Sequence, residues 1–438
     1  MTTKVCSVFG ILFSFSLLQV RDSGDAFQDG FAIIDPTPEH PPPPSSIRVR
    51  PTLLSLTTNN LTYALLGDYS NWWCTYPLPA TTPTPYNDPT SWGIVPSWGL
   101  ATITSSTIPS LHPGTTLWGY WPLSSHEVDL QLIPGTPKDH FIEISPHRQS
   151  LMSIYNRYVV LDIKDMDLER QGWESAMRLL WTCGYLLTEY VFSYDLEKKP
   201  IMAPFPGTPG LEWGTSEADV SRAVVISLAA SGKTARSVAY NLCLRPEGKG
   251  PAGLLQVTSE PGVIGEAARG MKPSFQTLAV GYDGVEGAEE WLVERKPEKL
   301  VVVDFGGRDG VHQKLFGMIM KNELLRGCKL VVIGVGLQQK VYSMEEVIAG
   351  QKAMGELGMI NFNTSPVLDA VLEVRDSEKV FEVLSERWNH WLENRQLVAP
   401  DLHLVWGKGV VGPEGIEGGW DLLCQSKVKP DEALVYRF

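Results

Sequence analysis

Close cysteine pairs are missing from this sequence. Its six cysteines, Cys6, Cys74, Cys183, Cys243, Cys328 and Cys424, are scattered over 438 residues, whereas a disulfide framework or a zinc site needs close or repeated spacing. They read as reduced, mostly buried thiols, and no metal is expected. A basic surplus is missing too. The formal net charge is −13, which argues against nucleic acid or an anionic membrane as the main partner. No run of like charges is long enough to act as a tail, there is no internal repeat, and no apolar run reaches the ~20 residues of a spanning helix. The nearest approach is Val5 to Val20, between Lys4 and Arg21-Asp22. It has the outline of a signal peptide but no small-x-small cleavage site. A secretory leader and an irregular leader without a targeting role both stay open for it. The remainder, with 43% hydrophobic and 20% charged residues, reads as a cytoplasmic globular protein. The sequons at Asn60-Leu61-Thr62 and Asn363-Thr364-Ser365 are short enough to arise by chance.

What is present suits two domains and a terminal arm. Residues 1–46 are a leader and linker ending in Pro41-Pro42-Pro43-Pro44-Ser45-Ser46, a stiff polyproline stretch. Residues 47–170 are β-rich, with short runs (Ile47–Val49, Leu53–Leu56, Leu61–Leu66, Leu100–Ile103, Thr116–Tyr120, Glu127–Leu132) separated by turn residues, the signature of a barrel or sandwich. Trp72, Trp73, Trp92, Trp98, Trp118 and Trp121 fall here; most are core filling, and some are candidates to line an apolar pocket. Toward its end the pattern turns helical, over Ser150–Tyr158 and Glu174–Tyr190. In residues 171–345, strands (Ala223–Ser227, Leu254–Thr258, Leu278–Gly281, Lys299–Asp304, Lys329–Gly334) interleave with helices (Thr234–Leu242, Val311–Asn322). The fold class is therefore α/β, with a parallel sheet covered on both faces. Residues 346–438 carry a helix near Ser377–Asn394, a strand near His403–Trp406 and a closing strand at Ala433–Phe438, read as a segment returning to the first domain.

The sharpest local feature is Ala223-Val224-Val225-Ile226-Ser227-Leu228-Ala229-Ala230-Ser231-Gly232-Lys233-Thr234-Ala235, an apolar strand running through small residues into a helix. Small side chains let the backbone approach a diphosphate, and the exposed N–H groups and helix dipole favour its charge. Two motifs compete. A P-loop needs G-x-x-x-x-G-K-T; Gly232-Lys233-Thr234 is there, but Ser227 stands at the first glycine. The strand Val301-Val302-Val303-Asp304 would then present its acid to magnesium. A dinucleotide turn lacks its full G-x-G-x-x-G. The next strand tips the balance: it ends in Val257-Thr258-Ser259, hydroxyls where a carboxylate would select NAD. Thr258, Ser259, Arg269 and Lys272 suit a 2′-phosphate, with Lys233 in reach of it or of the diphosphate; Glu260 would repel it. The cofactor-binding candidates are thus Ala230, Ser231, Gly232, Lys233, Thr234, Thr258 and Ser259. Helix capping is the competing explanation for the hydroxyls.

From Ile47 onward the chain resembles a known family. The stretches that carry the match are Thr58-Asn59-Asn60-Leu61-Thr62-Tyr63-Ala64 with Gly67-Asp68, Val95-Pro96-Ser97-Trp98-Gly99-Leu100-Ala101, and Gly114 with Trp118-Gly119-Tyr120-Trp121-Pro122. His147-Arg148, Tyr155-Asn156-Arg157-Tyr158, Ser231 with Lys233-Thr234-Ala235, Val257-Thr258-Ser259 and Gly281-Tyr282-Asp283 continue it. They are similar to the fungal and bacterial branch of the medium-chain dehydrogenase/reductases that is catalogued as a domain of unknown function. The resemblance implies a GroES-like β-rich domain, a Rossmann-like domain, an active site between them and a homodimer, and it adds Tyr282 to the cofactor-binding set. The superfamily's zinc-ligand patterns are not in this sequence, so it implies a zinc-free, quinone- or enoyl-reductase-like reaction with NADP(H). The implied substrate is a carbonyl or activated double bond on a small apolar metabolite, in the setting of fungal specialised metabolism. Hydrogen-bond donors would then meet charge developing on the substrate oxygen. Tyr63 is the candidate proton donor, Asn60 the candidate to hold the acceptor, and Tyr69 a second tyrosine at slightly different spacing; packing with a satisfied hydroxyl is the competing role of each tyrosine. The incomplete glycine motif keeps other classes open: an isomerase, cyclase or lyase on a polyketide-like substrate, a non-catalytic binding protein, and a P-loop NTPase.

Overall fold

In the computed structural model, residues 41–438 are described except 81, 85, 90 and 91, and before them only the antiparallel pairing of Ser7–Val8 with Ile11–Leu12. Apart from the four residues of that pairing, the expected leader and most of the linker lie outside the described residues. The described chain is mixed α/β and divides into two units: residues 41–178, 339–349 and 403–438, and residues 179–338 and 350–402. The helices Thr364–Val374 and Ser377–Val398 belong to the second unit, and only the last part of the C-terminal segment returns to the first.

The first unit is β-rich and barrel-like. Ser46–Leu56 pairs with Pro96–Ser106, which leads in turn to Thr116–Pro122, Arg157–Leu161, His140–Glu143 and Val128–Pro134. The last of these pairs back onto Ser46–Val49, closing the ring. The strand Ser46–Leu56 serves both ends: its C-terminal half pairs with Glu432–Arg437, which carries the parallel strand His403–Lys408. Register shifts after Arg48 and Pro51 supply the bend that such sharing requires. The interior holds Leu54, Tyr120, Trp121, Tyr158 and Arg148, all nearly inaccessible. Arg148 is held by the Thr75 carbonyl at 3.0 Å, the Tyr158 hydroxyl at 2.7 Å and the Glu143 carboxylate at 3.5 Å, so this buried charge is matched.

The second unit is built on a parallel sheet of Ala223–Leu228, Gly253–Val257, Gln276–Val280, Lys299–Asp304, Lys329–Gly334 and Ile360–Asn361. Numbered in chain order, these run 3-2-1-4-5-6 across the sheet. The first, second and fourth are buried along their whole length, which is why they read as continuous Val, Ile and Leu rather than as alternation. One face packs Leu292, Val311, Leu315 and Ile319 against Val224, Leu255 and Val302.

Three expected elements differ. Leu61–Leu66, expected as a β run, lies in the helix Thr58–Leu65; the Asn60 side chain accepts the Thr57 N–H at 2.7 Å and starts the helix there. Ser150–Tyr158, expected as a helix, is a 3₁₀ turn, Ser153–Asn156, followed by the strand Arg157–Leu161, because the barrel pairs that strand on both sides. The helical stretch at Glu174–Tyr190 is divided into Leu168–Ala176, Arg178–Leu186 and a π turn, Leu187–Val191.

Candidate functional site

All six parallel strands deliver the chain to one edge of the sheet. With the order 3-2-1-4-5-6, the first and fourth strands are neighbours whose connections leave in opposite directions, and such a switch point is where a crevice opens beyond the strand ends. Leu228 passes there into Ala229, at φ 57°, and then through Ala230, Ser231 and Gly232 into the helix Lys233–Cys243. Gly232 is its extended N-cap and no side chain caps it. The N–H groups of a first helical turn have no intrahelical acceptor, so Thr234 and Ala235 bring donors to the sheet edge, beside the Ser231 amide. The anticipated row of donors is shorter than the sequence suggested. The Ala230 N–H donates to the Val257 carbonyl at 2.9 Å and the Gly232 N–H to the Ala229 carbonyl at 2.8 Å, because the loop must close on its own backbone to turn so tightly. Arg236 braces the loop from below: its Nε donates to the Ser231 carbonyl at 2.8 Å while its two terminal nitrogens hold the Asp401 carboxylate at 2.7 and 2.6 Å.

Thr258 is fully buried. Its hydroxyl accepts the Glu260 N–H two residues on, at 3.1 Å, closing a local turn; the helix Pro261–Gly270 that follows has Glu260 as its N-cap and no side-chain cap, and Ser259 stands half-buried beside Thr258. The proposed 2′-phosphate cluster is not assembled as expected. Helix Pro261–Gly270 carries the chain away from the strand tip at ~1.5 Å per residue. Arg269, in its last turn, reaches back only to the level of Gly265, and Lys272 lies beyond the helix.

Tyr282 comes to the loop from the end of the third strand. Burial pushes its phenol up, against the pull of the Arg308 guanidinium, which stands 5.0 Å over its ring, and of the Arg308 and Ala229 amides that hydrogen-bond to its oxygen. Asp304, ending the fourth strand, accepts the Gly306 and Gly307 amides at 2.9 and 2.6 Å and stands 3.0 Å from His312 Nε2. The carboxylate that a P-loop reading would give to magnesium is therefore engaged in its own turn. Among the described residues, no group of three or more His, Cys, Asp or Glu side chains is arranged to hold a metal ion.

The catalytic candidates lie in the first unit, and the structure separates them. Tyr63 is buried in an aromatic cluster: its ring meets Trp72 at 4.8 Å, Tyr120 at 5.3 Å and Tyr155 at 6.1 Å, and its oxygen accepts the Trp98 indole N–H at 3.2 Å. Asn60 has both ends of its amide engaged, the oxygen by the Thr57 N–H and the nitrogen by the Pro96 carbonyl at 2.9 Å. It is a helix-starting residue, not a free group to hold a substrate oxygen. Tyr69 is 86% exposed and joins no cluster. Sequence reasoning missed Tyr120 and Tyr155 as companions of Tyr63. Tyr120 is fully buried, and its hydroxyl has no hydrogen-bond partner among the described residues. The only signal was the density of aromatics along this half of the chain.

Among solved structures the chain is similar to CurA from Vibrio vulnificus in complex with NADPH, at 12% identity over 96% of this chain and 97% of that one, with a TM-score of 0.48. It is similar to the CurK enoyl reductase at 12% identity over 92% and 94%, TM-score 0.47. A mutant form of enoyl thioester reductase from Candida tropicalis matches at 12% identity over 92% and 93%, TM-score 0.45. No curated protein matches. A family model described as "Protein of unknown function (DUF2855)" matches residues 54–429, nearly all of both units, and the chain belongs to that family.

Proposed function

We propose that this protein is an NADP(H)-dependent oxidoreductase that reduces a carbonyl or an activated double bond of a small apolar molecule. In this reading the parallel-sheet unit is Rossmann-like and the barrel unit GroES-like. One observation carries it: a sheet of order 3-2-1-4-5-6 whose first strand runs through Ala229–Gly232 into an uncapped helix N-terminus at the switch point. The residues fit the group in outline. Ser231, Thr234 and Ala235 supply amides for a diphosphate, and the second strand runs into Thr258 and Ser259 rather than an NAD-selecting acid. When bound, the reduced nicotinamide supplies a hydride. Tyr63 is the proposed proton donor, and the Trp98 N–H on its oxygen favours the negative charge left behind.

The test is titration of NADPH and NADH into the full chain, following nucleotide fluorescence and thermal unfolding. At 100-fold excess over Kd a ligand adds about 2.7 kcal/mol, several degrees in Tm. NADPH is expected to give that shift, NADH less, and Ser231→Glu to abolish it by placing a carboxylate at the diphosphate. Absence of any shift at millimolar NADPH refutes the proposal. One observation favours a second reading, a non-redox isomerase, cyclase or lyase: two loop amides are engaged internally and the Asp304 carboxylate stands at the same edge. Substrate turnover without NADPH oxidation would select it.

A further inference from the structure

In a dinucleotide fold the tip of the second strand meets the adenosine ribose, and there NADP(H) differs from NAD(H) by a 2′-phosphate. That strand is Gly253–Val257. The cations that the sequence offers to its tip are otherwise placed or engaged. Arg269 and Lys272 are carried away from it by the helix Pro261–Gly270. Lys233 opens the helix after the first strand, on the side of the diphosphate that both nucleotides share. Lys314 is paired with the Asp283 carboxylate at 2.9 Å. Glu260, exposed at the same tip, adds a negative charge, so a nucleotide with the extra phosphate needs a cation that outweighs it.

Arg308 is in position to do so. The second strand lies between the first and the third, and the Thr258 N–H, just past its end, donates to the Val280 carbonyl of the third at 3.0 Å. Tyr282 starts two residues after Val280, and its oxygen accepts the Ala229 amide, just past the end of the first strand. Its ring therefore passes across the tip of the second. The Arg308 guanidinium stands 5.0 Å over that ring. Arg308 is exposed, and among the described residues its guanidinium makes no ion pair or hydrogen bond. A guanidinium lying on a ring keeps its in-plane N–H groups free, and their fork matches the oxygens of a phosphate.

We propose that Arg308, held on the Tyr282 ring, binds the 2′-phosphate of NADP(H) and is the residue that selects NADP(H) over NAD(H). This rests on the dinucleotide reading above and adds to it the side chain that does the selecting. It also replaces Arg269 and Lys272 in that role, with a residue more distant in sequence that the order of the strands brings to the same tip.

The experiment titrates NADPH and NADH into the full chain at neutral pH and low salt, followed by calorimetry, with adenosine 2′-monophosphate and adenosine 5′-monophosphate as the smaller probes. NADPH is expected to bind about tenfold more tightly than NADH, the equivalent of about 1.4 kcal/mol, and the 2′-monophosphate more tightly than the 5′-monophosphate. Arg308→Gln is expected to remove both preferences, to leave NADH affinity unchanged and, because the side chain is exposed, to leave the thermal midpoint in place. Arg308→Glu is expected to reverse the preference toward NADH. NADPH binding no tighter than NADH, an equal loss of both in Arg308→Gln, or loss of the preference in Arg269→Gln/Lys272→Gln while Arg308→Gln keeps it would overturn the assignment and leave dinucleotide binding standing. Binding of neither nucleotide at millimolar concentration would remove both.

Discussion

Replacing Arg236 by methionine tests whether the loop at the sheet edge is held from below. Arg236 is 4% exposed, and its guanidinium makes three charge-assisted bonds, one to the Ser231 carbonyl and two to Asp401. Asp401 is 17% exposed in its side chain, so removing the arginine takes two charge-assisted bonds from a mostly buried carboxylate. Breaking a buried pair by deleting one partner costs about 3–5 kcal/mol, against about 1 kcal/mol or less for a surface pair. A unit of this size loses ~2–4 °C of Tm per kcal/mol, so the midpoint should fall on the order of 10 °C, with a matching loss in urea unfolding. Adding Asp401→Leu to Arg236→Met should recover much of this, since an apolar pair buries no charge. NADPH affinity should weaken in both variants, because neither restores the brace on Ser231. A loss below about 1 kcal/mol, or a double variant no better than the single one, would refute the reasoning.

Tyr63→Phe should lower NADPH-dependent turnover by about 10²–10⁴-fold while leaving nucleotide affinity unchanged; wild-type turnover would remove Tyr63 from the chemistry. His140 is buried beside Arg157, and burial, reinforced by the Arg157 charge, lowers its pKa to about 3. The unfolded chain therefore binds that proton first, near pH 6.5. Stability should fall as pH drops from about 6.5 toward 3, by up to ~1.4 kcal/mol per pH unit from this group, and His140→Gln should flatten the slope; an unchanged slope in urea unfolding would contradict this. Gly119→Ala would place a Cβ 2.2 Å from Tyr158 Cδ1, a ring fixed by Arg148 and the Tyr120 carbonyl. A cost of about 1–3 kcal/mol is expected, and an unmoved thermal midpoint would show that the barrel interior yields.

The parallel strands were legible because burial on both faces leaves a simple mark. Lys299–Asp304 and Lys329–Gly334 stand where the run of Val, Ile and Leu places them. The barrel was harder to read. Apolar residues at Leu61–Leu66 satisfy either period over so short a stretch, and the deciding signal was a polar one, the Asn60 cap. Arg157–Leu161 is a strand because Thr116–Trp118 and His140–Ile142 pair with it, partners distant in sequence. Within the candidate site, the small-residue turn was visible from Ala229 to Gly232. The closing bonds at Ala230 and Gly232, and Arg236 beneath Ser231, were not, since they depend on how the loop meets Val257 and Asp401.

The sequence by itself determined the α/β class, the parallel strands and the turn that opens the helix at Lys233, because each follows from local periodicity and side-chain size. Tertiary structure alone decided which polar groups are engaged and which are offered. Asn60, Arg236 and Arg148 carry the same chemistry in any context. Each is committed here by a partner distant in sequence that folding brings to it, the Pro96 carbonyl, the Asp401 carboxylate and the Thr75 carbonyl, and a buried polar group takes the partner that removes its desolvation cost.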